Sequence, residues 1–310
     1  MNGIELSKAF WDEYGNALLE GLPADVLTRV AVGLAGQGSE CFGFDDELSR
    51  DHDFEPGFRL WMDDGDHERW GMELQRRYNA LPRDFCGVKR LGSNAYGGLR
   101  NGVMRAGDFY GNLLGVRGVP ADLREWLELP EYALATAVNG RVFKEGGVFS
   151  EIRAALRAGY PRDVLLKKLA ARCVTMAQAG QYNFPRSLKR GDYAAAAEAL
   201  CEFVGAACSA IYLLNNAYMP YYKWRLRGLD GLAVLGDMRE PLSFLLTEET
   251  SAATAAVKTG VVEDVCRLVA DELRRRRLSD ETDSYLEPHG FAVNGKIENA
   301  ELRALHILAG

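Results

Sequence analysis

The spacing of apolar residues changes near residue 147. Before it, short apolar runs such as VAVGLAG (30–36) and FRLWM (58–62) are bounded by Gly, Pro and Asp, which is typical of buried strands. Residues 5–20 and 67–80 have helical spacing. The first half is therefore expected to combine strands with helices. The glycine-rich stretch 86–102 is expected to form a loop over the sheet.

From Glu151 onward the spacing is helical. In residues 192–217 the apolar side chains recur at three- and four-residue steps, at Leu200, Phe203, Val204, Ala207, Ile211 and Leu214. Helices are also expected at 161–179, 250–276 and 295–308, which together predict a bundle of four or five helices. A chain of 310 residues exceeds the size of one typical core, so we predict two domains, residues 1–147 and 148–310.

The formal net charge of −7 argues against a partner that is held through a long phosphate backbone, because such affinity comes largely from Lys and Arg. Long nucleic acid is therefore not an expected partner, and a small molecule fits better. No run of about 18 apolar residues occurs, and the first residues, MNGIELSKAFWDEYG, are polar and acidic, so we expect no membrane association and a cytoplasmic protein.

The cysteines show no Cys-x-x-Cys pair and several have apolar neighbours at helical spacing, so reduced packing residues are expected. They are Cys41, Cys86, Cys173, Cys201, Cys208 and Cys266.

Candidate chemistry lies in Asp51 and Asp53. If this segment is a strand, the two carboxylates point to the same side about 6 to 7 Å apart. Like charges held together are unfavourable unless a cation neutralises them, and carboxylates with phosphate suit Mg²⁺. The pair is therefore a predicted magnesium site. Glu55 would share that face, while Glu40, Asp45, Asp46 and Glu47 are expected to be solvated loop charges.

Gly38 and Ser39 follow the predicted strand at 30–36. A glycine lets the backbone approach a phosphate, and a serine adds a hydroxyl and a main-chain N–H at a turn. The two residues therefore predict a phosphate site. A dinucleotide fingerprint or Walker loop in GLAGQG (33–38) is a weak alternative, because the glycine spacing differs and no Gly-Lys-Ser/Thr follows.

The order of these features, with residues 49–53 on a strand and a helical bundle behind them, resembles the nucleotidyltransferase superfamily that includes DNA polymerase β and kanamycin nucleotidyltransferase. GSECFGFDDELSRDHDFEPGF (38–58), AGQYNFPRSLKRGD (179–192) and YYKW (221–224) are similar to the domain-of-unknown-function 4037 family, which is assigned to that superfamily. The resemblance covers nearly the whole chain. It implies an α+β fold, with an N-terminal nucleotidyltransferase-type mixed sheet followed by an all-α bundle.

The resemblance also implies an activity, the transfer of AMP from ATP to a hydroxyl of a small-molecule acceptor. Asp51 and Asp53 would be catalytic and hold two Mg²⁺ ions. Side chains and backbone expected at the nucleotide are those of Gly38, Ser39, Ser49, Arg50, Lys189 and Lys223. For Lys189 a solvated loop between helices is the competing interpretation, and for the aromatic residues of YYKW it is packing in the bundle.

One departure concerns a third carboxylate, which many members carry on a later strand. The segment NGVMRAGDF (101–109) offers only Asp108, so Glu55, Glu198 or Glu202 are the alternative general bases. Without a base the chain would bind nucleotide as a regulatory protein. A toxin that modifies RNA or protein is a third possibility.

Overall fold

The computed structural model describes residues 1–51, 54–90 and 100–310, with the backbone alone for Arg50 and Asp51. Two compact units are present: the sheet unit (residues 1–120 with 133–158) and the helical unit (residues 121–132 with 159–310). The chain is thus α+β, with a small mixed sheet and a helical C-terminal region. These limits differ from the predicted single boundary at residue 147, because the chain crosses between the units more than once.

The described strands are β1 (Ala31–Leu34), β2 (Arg59–Met62), β3 (Asp84–Phe85), β4 (Val88–Lys89), β5 (Gly102–Arg105) and β6 (Arg141–Lys144). Four of them form a mixed sheet in the order β5-β2-β1-β6, and β3 pairs with β4 in a hairpin. β1 is antiparallel to both neighbours, and β2 is parallel to β5. The strands predicted at 30–36 and 58–62 are confirmed, whereas β4 lies inside the predicted loop 86–102.

The described helices are α1 (Gly3–Leu19), α2 (Ala24–Arg29), α3 (Asp64–Asn79), α4 (Ala106–Leu114), α5 (Leu123–Glu128), α6 (Glu131–Val138), α7 (Gly147–Arg157), α8 (Arg162–Met176), α9 (Phe184–Lys189), α10 (Tyr193–Leu214), α11 (Arg239–Thr247), α12 (Ala255–Arg275), α13 (Leu286–Gly295) and α14 (Ala300–Ala304). A π-helical segment, Ala177–Asn183, joins α8 to α9. The helix predicted at 295–308 is wrong, because α13 ends at Gly295 and Asn299 caps a new short helix.

Alternate side chains of β2 point to opposite faces of the sheet. Leu60 belongs to a core that α1 and α3 cover, with Phe10 and Tyr78 among its members. Trp61 faces the other side, where its ring stacks on Phe149 of α7 with 3.8 Å between centroids. Helix α7 therefore packs on the sheet, which is why the sheet unit continues to residue 158 instead of ending at 147.

In the helical unit, α8 packs against α10 and α13. Helix α10 is long and apolar enough to cross a membrane by length and composition, but 72% of its apolar window is buried inside the protein. Its bounds, Tyr193–Leu214, agree with the predicted helix 192–217 to within three residues at each end. Gly180 of the π-helical segment lets α10 approach, since a Cβ there would lie 2.3 Å from the Phe203 ring. The role of α10 is that of a core helix.

Four of the six cysteines are buried, as expected for packing residues, while Cys86 and Cys201 are exposed. Burial raises the pKa of the thiols of Cys41, Cys173 and Cys208 to about 12. These three thiols therefore stay protonated at neutral pH, and protonated thiols are poor nucleophiles and metal ligands.

Candidate functional site

The turn that follows β1, residues 36–39, is built on two glycines in left-handed conformations. Gly36 has φ +106° and Gly38 has φ +122°, values that L side chains rarely adopt. A Cβ on Gly38 would lie 2.2 Å from a guanidinium nitrogen of Arg100. The glycine thus lets a cation reach the backbone of the turn. Ser39 precedes a 3₁₀ turn, Glu40–Phe42, and its carbonyl accepts the Phe42 N–H.

Asn139 fixes the first residue of this turn from the chain just before β6. Its Oδ1 accepts the Gly36 N–H at 2.7 Å, and its Nδ2 donates to the Gly36 carbonyl at 2.8 Å. The Asn139 amide therefore makes the two hydrogen bonds to the Gly36 backbone that a neighbouring strand would make. The residue after it, Gly140, donates its N–H to the Cys41 carbonyl at 2.7 Å. The position of the turn is defined from both sides.

Replacing Asn139 by Ala should lower the free energy of unfolding of the sheet unit by about 1 to 3 kcal/mol, because the Gly36 N–H and carbonyl lose their partners. Urea denaturation followed by tryptophan fluorescence measures this loss. The matched control is Asn79→Ala at the exposed end of α3, which should stay within about 0.5 kcal/mol of the wild type. Equal stability of the two variants would contradict the role given to Asn139.

Arg59 places a buried cation directly under the turn. The residue is 8% exposed, and its guanidinium donates to the carbonyls of Ala35 and Arg100. It also lies over the Phe109 ring at 5.7 Å. Burial lowers its pKa from the ordinary arginine value. Among the described residues no carboxylate forms an ion pair with it, and the described groups against its charge are two carbonyls and a ring face.

A second cation, Arg100, lies on the other side of the turn. Its guanidinium pairs with the carboxylate of Glu40 and also donates to the Gln37 carbonyl at 3.3 Å. Burial lowers the pKa of Arg100 to about 10. Glu40 is only 9% exposed, so the expectation that it is a solvated loop charge is wrong. The pairing takes it out of solvent.

Glu55 and Asn101 form the next polar contact, with Asn101 Nδ2 donating to Glu55 Oε1 at 2.8 Å. Asn101 is 8% exposed, and its Oδ1 has no hydrogen-bond partner in the part of the chain that the structure describes. Both residues, with Glu40 and Arg100, line a cavity of about 10 Å³, room for about one water molecule or ion. A carboxylate and an unsatisfied amide oxygen therefore meet beside the turn.

The predicted strand through residues 49–53 is wrong where the structure describes it, because Leu48–Asp51 is a 3₁₀ turn. Asp46 caps this turn, accepting the Ser49 N–H and hydroxyl, each at 3.0 Å. Ser49 is thus engaged locally. Asp53 and the side chains of Arg50 and Asp51 lie outside the described residues, so their predicted roles stay predictions.

Asp108 is not beside the turn residues, because it lies on α4 and pairs with Arg117 on the protein surface. Lys189 and Lys223 are exposed residues of the helical unit, and the Lys223 ammonium lies over the Trp224 ring at 5.3 Å. The alternative bases Glu198 and Glu202 are exposed on α10. The structure therefore places Gly38 and Ser39 together with Glu55. Arg59, Arg100, Asn101 and Asn139 join them without having been predicted.

The described residues define an α+β protein whose sheet unit carries a glycine turn between two arginines. Residues 126–225 match the family model described as Domain of unknown function (DUF4037), which supports the resemblance to that family. The match covers about a third of the chain and includes 179–192 and 221–224, but not 38–58, so it is narrower than the predicted resemblance. No curated protein and no solved structure matches the chain.

Proposed function

We propose that the protein is a Mg²⁺-dependent nucleotidyltransferase that transfers a nucleoside monophosphate, with ATP as the first donor to test, to a hydroxyl of a small-molecule acceptor. The observation that carries this proposal is the turn at residues 36–39. It follows a central strand of a mixed sheet and has the buried Arg59 and the half-buried Arg100 against it. The superfamily resemblance supplies the reaction class.

Phosphate binding is supported by the charge around the turn. Main-chain N–H groups and left-handed glycines form concave sites for anions. Arg59 carries a buried charge without an ion pair among the described residues, and the penalty for such a charge falls when an anion approaches it. A terminal phosphate over Gly38 and Ser39 would provide that anion.

The residues beside the turn fit a hard cation in their donor chemistry. Glu55 offers a carboxylate and Asn101 an unsatisfied amide oxygen, and oxygen ligands of this kind suit Mg²⁺. Among the described side chains no three His, Cys, Asp or Glu residues form a metal-binding group. The proposed ligands are Asp51 and Asp53, whose side chains lie outside that set. When bound, Mg²⁺ would neutralise charge on the triphosphate and on the leaving pyrophosphate.

Glu55 is the proposed general base. Its carboxylate is oriented by Asn101, the residue before β5, and would take the proton of the acceptor hydroxyl as the oxygen attacks the α-phosphate. β5 itself supplies no acid, because its sequence is Gly-Val-Met-Arg. Asp108, which follows it, is neutralised by Arg117. The base is therefore assigned to the segment before β2.

The acid-free β5 favours a second candidate, a nucleotide-binding regulatory protein without turnover. The two functions give different results when the protein is incubated with labelled ATP, MgCl₂ and a panel of hydroxylated metabolites and aminoglycosides. The enzyme should release pyrophosphate and label one acceptor. The regulatory protein should only become more stable, by about 2.7 kcal/mol at an ATP concentration 100 times the Kd.

Both candidates require nucleotide binding that depends on Mg²⁺. Isothermal titration calorimetry with ATP, CTP, GTP and UTP, in MgCl₂ and in EDTA, tests this requirement directly. Uptake of at least one nucleotide in MgCl₂ that disappears in EDTA is the expected result. Failure of all four nucleotides to bind in MgCl₂ would remove both functions.

A further inference from the structure

The helical unit contains a cavity of about 650 Å³, a volume typical of sites for small organic molecules. It is lined by the chain from Leu127 to Tyr132, by one face of α8 and by the loop from Met219 to Arg225, together with Arg124, Leu305, Ala309 and Gly310. All of these residues belong to the helical unit. The cavity is thus built without any residue of the turn at 36–39.

The charges that line this cavity are predominantly positive. Lys168 is 4% exposed, and its ammonium donates to the Leu127 carbonyl at 2.8 Å. Among the described residues neither Lys168 nor Arg225 forms an ion pair. Burial lowers the pKa of Lys168 to about 8, which still leaves it mostly protonated at neutral pH. Arg124 is neutralised by Glu128 at 3.0 Å. An anionic group is therefore favoured in the cavity.

The buried carboxylate of Glu131 has one oxygen that lacks a hydrogen-bond donor among the described residues. It is 7% exposed, and its Oε1 accepts the Ser209 hydroxyl at 2.5 Å. Arg172 forms an ion pair with the same Oε1, but its nearest nitrogen lies 3.8 Å away, beyond hydrogen-bonding distance. Its Oε2 has no partner in the described part of the chain. A buried carboxylate oxygen left in this state is costly, so a ligand hydroxyl or amino group is expected there.

Aromatic rings line the cavity towards solvent. Tyr132 and Tyr221 pack edge to face with 5.8 Å between centroids, and Tyr222 lies 4.5 Å from Tyr221. Tyr222 is 63% exposed, so its ring is accessible to a ligand. The expectation that the tyrosines of YYKW pack within the bundle is therefore wrong for Tyr222. Exposed ring faces and edges of this kind contact planar ligands.

We propose that this cavity binds a small anion that carries a planar ring and a hydrogen-bond donor. Lys168 and Arg225 contact the anionic group, the tyrosines contact the ring, and Glu131 accepts from the donor. Arg172 is already engaged, because it pairs with Glu131 and donates to the Gly310 carbonyl at 2.5 Å. The site stands on the helical unit alone. It therefore goes beyond the nucleotidyl-transfer proposal and does not depend on it.

The test uses AMP and 4-aminobenzoate, two ring anions with an amino donor, one a phosphate and the other a carboxylate. Calorimetry on the full chain in EDTA should show at least one of them binding with a Kd below about 1 mM. Adenosine and aniline lack the anion, and ribose 5-phosphate lacks the ring, so each should bind at least about tenfold more weakly. No binding by either ring anion would overturn the proposal, as would equal binding of the truncated probes.

Variants locate the binding. Arg225→Met and Lys168→Met should each weaken it at least about tenfold, and Tyr222→Ala, at an exposed position that does not affect folding, should weaken it as well. Arg190→Met at an exposed position is the control and should change nothing. The Asp51→Asn, Asp53→Asn double variant should bind, in EDTA, the same ring anion as the wild type and with the same Kd. Loss of binding in that double variant, or wild-type affinity in Arg225→Met and Tyr222→Ala, would assign the ligand elsewhere and overturn the proposal.

Discussion

Replacing both Asp51 and Asp53 by Asn should reduce pyrophosphate release at least about 1,000-fold, if the proposed function holds. A metal centre supplies several kcal/mol of transition-state stabilisation, and each 1.4 kcal/mol is about a factor of ten in rate. Asparagine keeps the size of the side chain but removes the charge that would hold Mg²⁺. Steady-state kinetics with labelled ATP measure the loss, and calorimetry should show that Mg²⁺-dependent ATP uptake disappears with it.

The control for the double variant is Asp12→Asn on α1, an exposed carboxylate that pairs with Lys8. It makes the same chemical change at a surface position and should keep the wild-type rate. Thermal unfolding separates a local effect from loss of folding, because the double variant should melt close to the wild type in EDTA. Turnover that survives in the double variant would contradict the assignment of the two aspartates as metal ligands.

Lys258→Met should destabilise the helical unit by about 3 kcal/mol. Lys258 is fully buried on α12, and its ammonium donates to the carbonyls of Leu245 and Glu248 at 2.9 and 2.7 Å and to the Thr250 hydroxyl at 3.0 Å. Leu245 is in the last turn of α11, where carbonyls have no partner within the helix. Methionine fills a similar volume but cannot donate, so these acceptors are left unsatisfied at about 1 to 3 kcal/mol each.

Chemical denaturation followed by tryptophan fluorescence reports this change, in a background where Trp11, Trp61 and Trp70 of the sheet unit are replaced by Phe. Only Trp126 and Trp224 of the helical unit then contribute to the signal. Lys296→Met is the matched control, because Lys296 is exposed after α13, and its effect should stay within about 0.5 kcal/mol. An unfolding midpoint of Lys258→Met that equals that of Lys296→Met would show that the buried ammonium does not stabilise the end of α11.

The sequence predicts those elements whose own residues carry the signal. β1 and β2 are buried along their whole length and lie in apolar runs between Gly, Pro and Asp, which only Arg59 interrupts. Helix α10 has an apolar stripe over five turns. By contrast β5, Gly-Val-Met-Arg, begins with glycine and has only two apolar side chains between the glycine and an arginine. It becomes a strand because β2 pairs with it in parallel, a tertiary contact that local propensity does not record.

The site was predictable only in its local part. Gly38 and Ser39 follow a strand in the chain, which marks them as a turn. The pairing of Glu40 with Arg100 joins residues that are far apart in sequence. Residue spacing therefore could not predict that Glu40 is buried and paired. The superfamily resemblance implies a strand through residues 49–53. The side chain of Asp46, which accepts from Ser49, instead stabilises a tight turn there.

The guanidinium of Arg59 links two parts of the backbone that the sheet itself does not join, the end of β1 at Ala35 and the entry to β5 at Arg100. Because arginine is planar and offers several donors, one side chain serves both carbonyls, whereas the single ammonium of a lysine has no such fork. If either segment shifted alone, its carbonyl would lose the hydrogen bond from Arg59 at a position with little access to water. Arg100, at the entry to β5, and the glycine turn are therefore coupled through one side chain.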